Sequence, residues 1–219
     1  MMRKYNTWLL GLVFLSACAN GQNRKSENAF AKLPIAKPDE KVATFAGGCF
    51  WALAEGLSEL KGVNEVVSGY AGGTVKNPSY EEVCSDNTGH AEAVQVYYNP
   101  KLVSYAELAE SFFYAHDPTT LNRQGPDEGE DYRSIAFYRT PEEEKELKTA
   151  IAKVNASHHY ADPIVTTVTP IKIFYPAENY HQDYFKLHPG NSYIQGVSAP
   201  KVIKLRKNRR AYLKPEYQK

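Results

Sequence analysis

The order of extended and helix-like runs between residues 41 and 138 constrains this chain more tightly than its composition does. Residues 41–46 read as a strand, and residues 49–60 as a helix stopped by Gly62. Residues 63–70 read as a strand that ends in the Gly72-Gly73 turn, and residues 77–87 as loop with room for one helical turn. Residues 91–98 alternate in part and read as a strand closed by Asn99-Pro100. Ser104 starts a helix that runs to His116, with Glu107 three residues on completing a capping box. A long polar loop, residues 117–131, leads to a strand at 134–138. The elements therefore run β-α-β-β-α-β, the split βαβ pattern. The predicted fold class is α+β: a ferredoxin-like two-layer sandwich with its helices on one face of the sheet.

An extra helix, an extra strand and a tail follow. Thr140 caps a helix begun by Pro141 and running to about Ser157. Residues 164–175 are extended, interrupted at Pro170, and residues 177–187 read as a short aromatic helix. The C-terminal tail carries Lys204, Arg206, Lys207, Arg209 and Arg210. It is expected either to lie solvated or clasped on the surface, or to touch anionic lipid. With no internal repeat, the 219 residues divide into 1–17, a signal segment; 18–40, a flexible tether; 41–190, one catalytic-sized domain; and 191–219, the basic tail.

The N-terminal segment has Arg3 and Lys4 ahead of an apolar stretch, residues 8–15, too short to span a bilayer. It ends in Leu15-Ser16-Ala17-Cys18, which resembles the lipobox of bacterial lipoproteins. That resemblance implies cleavage before Cys18 and lipidation of its sulfur and amine. A membrane lipoprotein whose domain faces the periplasm or the cell exterior is the expectation, against an ordinary signal peptide with a chance cysteine. Residues 20–39 are polar and unpatterned, as a tether would be.

Net charge is +1, which gives no reason to expect a nucleic-acid partner, and a monomer is expected. With Cys18 assigned to lipid, only Cys49 and Cys84 remain. Two thiols make no disulfide framework, and no Cys/His spacing suits zinc, so no metal is expected.

Cys49 lies in Gly47-Gly48-Cys49-Phe50-Trp51, at the turn from a strand into a helix. A thiol at a helix N-terminus feels the positive end of the helix dipole, which lowers a thiol pKa. The alternative is a buried, inert cysteine. Glu92 enters an otherwise apolar strand, where it is either exposed at an edge or buried; buried near Cys49, it would hold a proton near neutral pH and serve as a general acid. Tyr80 sits in a loop, and Asp127 and Tyr132 in the long polar loop, a length often tied to function. Spacing alone leaves these three as surface or packing residues.

Several motifs, taken together, resemble the A-type peptide methionine sulfoxide reductases. They are Gly47-Gly48-Cys49-Phe50-Trp51, Gly69-Tyr70-Ala71-Gly72-Gly73, Thr88-Gly89-His90-Ala91-Glu92-Ala93-Val94, His116-Asp117-Pro118-Thr119, Asn122-Arg123-Gln124-Gly125, Tyr132-Arg133-Ser134 and Pro176-Ala177-Glu178-Asn179-Tyr180-His181-Gln182. They run in the family's order over nearly the whole globular part. The resemblance implies that Cys49 attacks the sulfoxide sulfur, and that Glu92 protonates the departing oxygen. Tyr80 and Tyr132 would hold that oxygen, Asp127 would order the pocket, and Phe50 and Trp51 would receive the S-methyl group. It further implies selectivity for the S-epimer, free or in proteins, a sulfenic acid on Cys49, and no bound cofactor. A thioredoxin-like, glutaredoxin-like or small thiol would be the reductant.

Many members of that family carry a resolving cysteine in the tail. Here Tyr193-Ile194 stands where relatives carry Tyr-Cys, and no cysteine follows Cys84. Resolution therefore falls to an external thiol or to Cys84. His158, His159 and His188 read as surface or structural. Two other readings compete. One is a cysteine hydrolase, with His90, His116 or His181 as base. The other is a lipoprotein binding module that kept the fold without the activity.

Overall fold

A computed structural model describes residues 27–219. The signal segment, the lipobox and Cys18 lie outside the described residues. The strands are β1 (Lys41–Ala46), β2 (Val63–Ala71), β3 (Ala91–Tyr98), β4 (Ile135–Tyr138), β5 (Thr167–Pro170) and β6 (Phe174–Pro176). The helices are α1 (Phe50–Ser58), α2 (Tyr80–Cys84), α3 (Tyr105–Ala115), α4 (Pro141–Ala156), α5 (Tyr184–Leu187) and α6 (Ala199–Arg209).

The sheet order is β5-β4-β1-β3-β2-β6. Its four central strands are antiparallel to one another, in the order β4-β1-β3-β2 that the split βαβ pattern requires. The α+β sandwich read from the sequence is therefore the fold observed. Helices α1 and α3 cover one face, where Phe45 of β1 stacks on Phe112 of α3 with ring centroids 4.8 Å apart. The capping residues behave as their spacing predicts. Ser104 accepts from the Glu107 amide at 3.2 Å, and Thr140 from that of Glu143 at the same distance. Ser79 and Glu82 form a second capping box, which turns the expected loop into α2.

Three expectations are corrected. The extended stretch 164–175 is two strands on opposite edges of the sheet: β5 runs parallel to β4, and β6 antiparallel to β2. Pro170, which has no N–H to give, ends β5 at the edge. The helix expected at 177–187 is interrupted, because the Gln182 side chain accepts from the Ser68 amide (2.9 Å) and donates to its carbonyl (3.0 Å). That pairing holds residue 182 extended, and Asp183 then turns through a left-handed conformation (φ 51°) before α5.

The third correction concerns the ends of the domain. The tail is built into the fold: α6 buries Val202 and Leu205 and packs on α1 and α3. Arg206 donates twice to the fully buried Glu59 carboxylate, at 2.6 and 2.7 Å. Arg209 pairs with Glu110 at 3.0 Å and lies over the Tyr212 ring. The basic residues of this segment thus largely clasp the domain. At the other end, the expected tether is docked before residue 40. Phe30 bridges Glu178, and the Ala31 amide donates to the Ala177 carbonyl at 2.9 Å.

Candidate active site

The β1–α1 turn places Cys49. Gly48 adopts φ +80°, and a Cβ there would stand 2.5 Å from Cγ of Gln124. At Gly47 a Cβ would press on His116 and Phe112 at 3.0 Å. The glycines thus let the turn pass between the 117–131 loop and α3, and Cys49 becomes the N-cap of α1.

Alternation along β3 places Glu92. Its side chain shares a face with Val94, Val96 and Tyr98, the face under the helices. Phe45 faces Val94, so Glu92, two residues further along, stands beside the β1–α1 turn. It is 2 % exposed and accepts the Phe50 amide at 2.9 Å. The strand carboxyl is therefore buried. Burial, reinforced by the Asp131 and Asp127 carboxylates and opposed by the Phe50 amide, pushes its pKa up to about 8. At neutral pH it carries a proton to give.

Cys49 departs from the sequence-based expectation. Its pKa is raised well above the ordinary thiol value, chiefly by burial and then by the Glu92 charge. The Trp51 amide, the Tyr193 hydroxyl and the Lys201 charge pull the other way without winning. The helix-start position is as expected, but the thiol is buried, and desolvation outweighs the dipole.

A cavity of about 250 Å³ opens onto both groups, lined by Cys49, Trp51, Tyr80, Glu92, Asp127, Tyr132, Asn191 and Tyr193. Six of the seven residues expected at the reaction centre meet here. Phe50 does not: its ring is fully buried behind the cavity, 4.9 Å from the His181 ring and 6.0 Å from that of Tyr70. Phe50 serves the site through its backbone, by the bond to Glu92. Trp51 is the aromatic wall. Its indole N–H donates to Nδ1 of His181 at 3.2 Å, and its ring stacks on Tyr184 at 3.9 Å. Tyr80 is fixed through its amide, which donates to Glu178 at 3.0 Å; the same carboxylate accepts from the Tyr70 hydroxyl at 2.9 Å.

Cys84 lies one helical turn after Tyr80, on the exposed side of α2 and outside the cavity lining. Partial desolvation pushes its pKa up to about 11. His90 and His116 use both ring nitrogens elsewhere, while His181 uses Nδ1 and turns Nε2 toward the Glu178 carboxylate at 3.9 Å. His90 bonds Gly73 and Val75, and His116 bonds Phe112 and Ser134; His181 holds Trp51. None of these bonds reaches Cys49, so the hydrolase reading lacks its base.

Sequence reasoning missed Tyr193, Asn191, Lys201 and the supporting roles of Glu178 and His181. The Tyr193 hydroxyl donates to Asp127 at 2.7 Å and lines the cavity beside Cys49. Lys201 stands 3.5 Å from Asp127. The Asn191 side chain accepts the Tyr193 amide at 2.9 Å and so starts the π-helical turn that leads into α6. The available signal was Val202 and Leu205, three apart behind Pro200, which mark a packed helix where a tail was expected.

A buried thiol and a protonated carboxyl in a phenol-lined cavity define a thiol enzyme that needs a proton donor, with no metal cluster among the described residues. The comparisons narrow this class. The model of the family "peptide methionine sulfoxide reductase" matches residues 41–213. Peptide methionine sulfoxide reductase MsrA 1 of Rhodopirellula baltica is 50% identical over 172 residues, covering 78% of this chain and 88% of that one. The reduced form of Mxr1 from Saccharomyces cerevisiae superposes with a TM-score of 0.67 at 37% identity, over 72% of this chain and 91% of that one. A structure of Mxr1 in complex with Trx2 matches with a TM-score of 0.50 at 29% identity, over 70% and 91%. The chain belongs to the peptide methionine sulfoxide reductase family. It is an oxidoreductase that reduces methionine sulfoxide at the expense of thiols, and the hydrolase and binding-module readings fall away.

Proposed function

We propose that Cys49 reduces the S-epimer of methionine sulfoxide, free or within oxidised proteins, through a sulfenic acid. The observation that carries this reading is the shared cavity of Cys49 and the proton-bearing Glu92. The Cys49 S–H proton leaves to water, and the sulfur bonds to the sulfoxide sulfur as Glu92 protonates the oxygen. The oxygen then passes to Cys49, leaving methionine and Cys49–S–OH. Tyr80 and Tyr132, both with pKa raised chiefly by burial, stay protonated and donate to the oxygen. Trp51 packs the methyl group.

An external thiol reduces the sulfenic acid. Two reductant thiols yield a disulfide, water and the restored Cys49 thiol. The complex of the relative Mxr1 with Trx2 supports a thioredoxin-class dithiol protein in this role. Cys84 is the alternative: it lies one helical turn from Tyr80, but a thiol with pKa about 11 is a poor nucleophile at neutral pH. Tethering of this enzyme to a membrane through Cys18, on the periplasmic or outer side, is supported by the lipobox-like Leu15-Ser16-Ala17-Cys18. Attachment of labelled palmitate to the expressed chain tests that part, and its absence would remove it.

The test of the chemistry supplies the purified chain with dithiothreitol and the separate S- and R-epimers of N-capped methionine sulfoxide. The S-epimer alone should disappear, and Cys49→Ser should abolish the loss. Equal consumption of both epimers, or activity surviving in Cys49→Ser, overturns the reading. A thiol count after one turnover without reductant separates the resolving routes: loss of Cys49 alone supports the external thiol, and loss of Cys49 with Cys84 the internal one.

A further inference from the structure

The C-terminal segment, expected as a tail, reaches the reaction centre with two side chains. The Tyr193 hydroxyl donates to Asp127 (2.7 Å) and lines the same cavity as Cys49, close enough to act on the thiol. Lys201, two residues into α6, places Nζ 3.5 Å from Oδ2 of Asp127 and 3.5 Å from the Gln124 carbonyl oxygen. A tyrosine hydroxyl has one proton and two acceptor lone pairs. While Cys49 is a thiol, its S–H can point at the Tyr193 oxygen and Tyr193 can donate to Asp127. A thiolate reverses this need, because it can only accept. Tyr193 then turns its proton to sulfur, and Asp127 loses its phenolic donor in a largely enclosed place.

We propose that Lys201 is a positioning residue for the reaction, whose ammonium takes over Asp127 when the single hydroxyl proton of Tyr193 turns to the Cys49 thiolate. In this step the Cys49 S–H bond breaks, its proton leaves to water at the cavity mouth, and the Tyr193 O–H bond stays intact while it rotates. The groups acting around Cys49 make such a cation necessary. Glu92 comes from β3, Asp127 and Asp131 from the 117–131 loop, Tyr80 from α2, Tyr132 from the turn before β4, and Tyr193 from the C-terminal segment. Three of these are carboxyl groups and three are phenols. Lys201, 3.5 Å from Asp127, brings a positive charge to this group that acts on both Cys49 and Glu92.

The inference rests on Cys49 as the nucleophile, and its test keeps the two apart. Alkylation of Cys49 by iodoacetamide, followed by peptide-resolved mass spectrometry on the full chain from neutral to alkaline pH, reads thiolate formation without substrate. Lys201→Met should move the Cys49 profile up by about one pH unit. The kcat for the S-epimer at pH 7 should then fall about tenfold while KM holds. Lys201→Arg should restore most of both. Tyr193→Phe should shift the profile in the same direction, and the double variant should add nothing further. Coincident profiles for Lys201→Met and the parent overturn the inference, as does simple additivity with Tyr193→Phe; a purely structural lysine would lower the melting temperature and leave the profile in place. Should Lys201→Met not fold, Tyr193→Phe and Lys201→Arg decide: an unshifted Tyr193→Phe, or an Arg variant as impaired as Tyr193→Phe, overturns it. A Cys49→Ser variant that keeps full activity would instead overturn the reading of Cys49 itself.

Discussion

At the scale of single residues, two buried groups hold their protons where solvent-exposed counterparts would not. Glu92 is the clearer case. Its pKa rises from 4.5 to about 8 in the folded chain. Between those values the unfolded chain gives up a proton that the folded one keeps, so the stability contributed by protonated Glu92 falls as pH rises through the interval and is fully lost above it. Glu92→Gln removes that loss and retains an acceptor for the Phe50 amide. We expect the variant to be more stable than the parent by about 2–3 kcal/mol at pH 7, with the difference vanishing toward pH 4. Urea unfolding at several pH values checks this, and equal stabilities at pH 7 would contradict it. The same variant should lose roughly 10²–10⁴-fold in kcat, because an amide cannot protonate the sulfoxide oxygen. In the parent, kcat/KM should fall above pH about 8 as Glu92 ionises. The sequence allowed both fates for this carboxyl, edge or core. Strand order decides between them, because β3 lies in the middle of the sheet. Cys49 shows the reverse limit: its helix-start position was legible, but the cavity wall that encloses it includes Tyr193, far away in the chain.

At the scale of elements, the site depends on turns that admit no ordinary side chain. Gly48 combines φ +80° with a Cβ position 2.5 Å from Gln124. Gly48→Ala should therefore cost about 2–3 kcal/mol, from left-handed strain plus displacement of Gln124. Gln124 accepts the Asp117 amide at 3.0 Å and donates to the Asp117 carbonyl, so its displacement also loosens the loop that carries Asp127. The melting temperature and the KM for sulfoxide should both worsen; an unchanged KM would mean that the loop does not move. The strands and the capped helices of this region were readable because each carries its own local signal, an alternation or a cap. The broken helix at 177–187 was not, since the bond that interrupts it joins Gln182 to Ser68 across 114 residues.

At the scale of the whole molecule, the catalytic domain does not end where composition shifts. The basic run from Lys201 onward could by charge density lie solvated or clasp the surface; it clasps, because three of its charges are matched to groups far upstream. Arg206 meets Glu59, Arg209 meets Glu110, and Lys201 meets Asp127. Pairings of that kind leave no trace in either segment alone, whereas the apolar spacing of Val202 and Leu205 does. A chain stopped after residue 190, the boundary that composition suggests, would take the guanidinium from Glu59 and uncover the faces of α1 and α3 on which α6 packs. Removing one partner of a buried pair costs about 3–5 kcal/mol, a large share of the stability of an ordinary domain. The loss of Val202, Leu205 and Leu213 from the core adds to this. We expect that truncation to lack a cooperative thermal transition, and Arg206→Met in the full chain to lower stability by about 3 kcal/mol. Pairing Arg206→Met with Glu59→Leu should recover most of that loss, because no charge is then left stranded. If the double variant is as unstable as Arg206→Met alone, the clasp works through packing of the arginine stem against α1, and the charge pair is incidental.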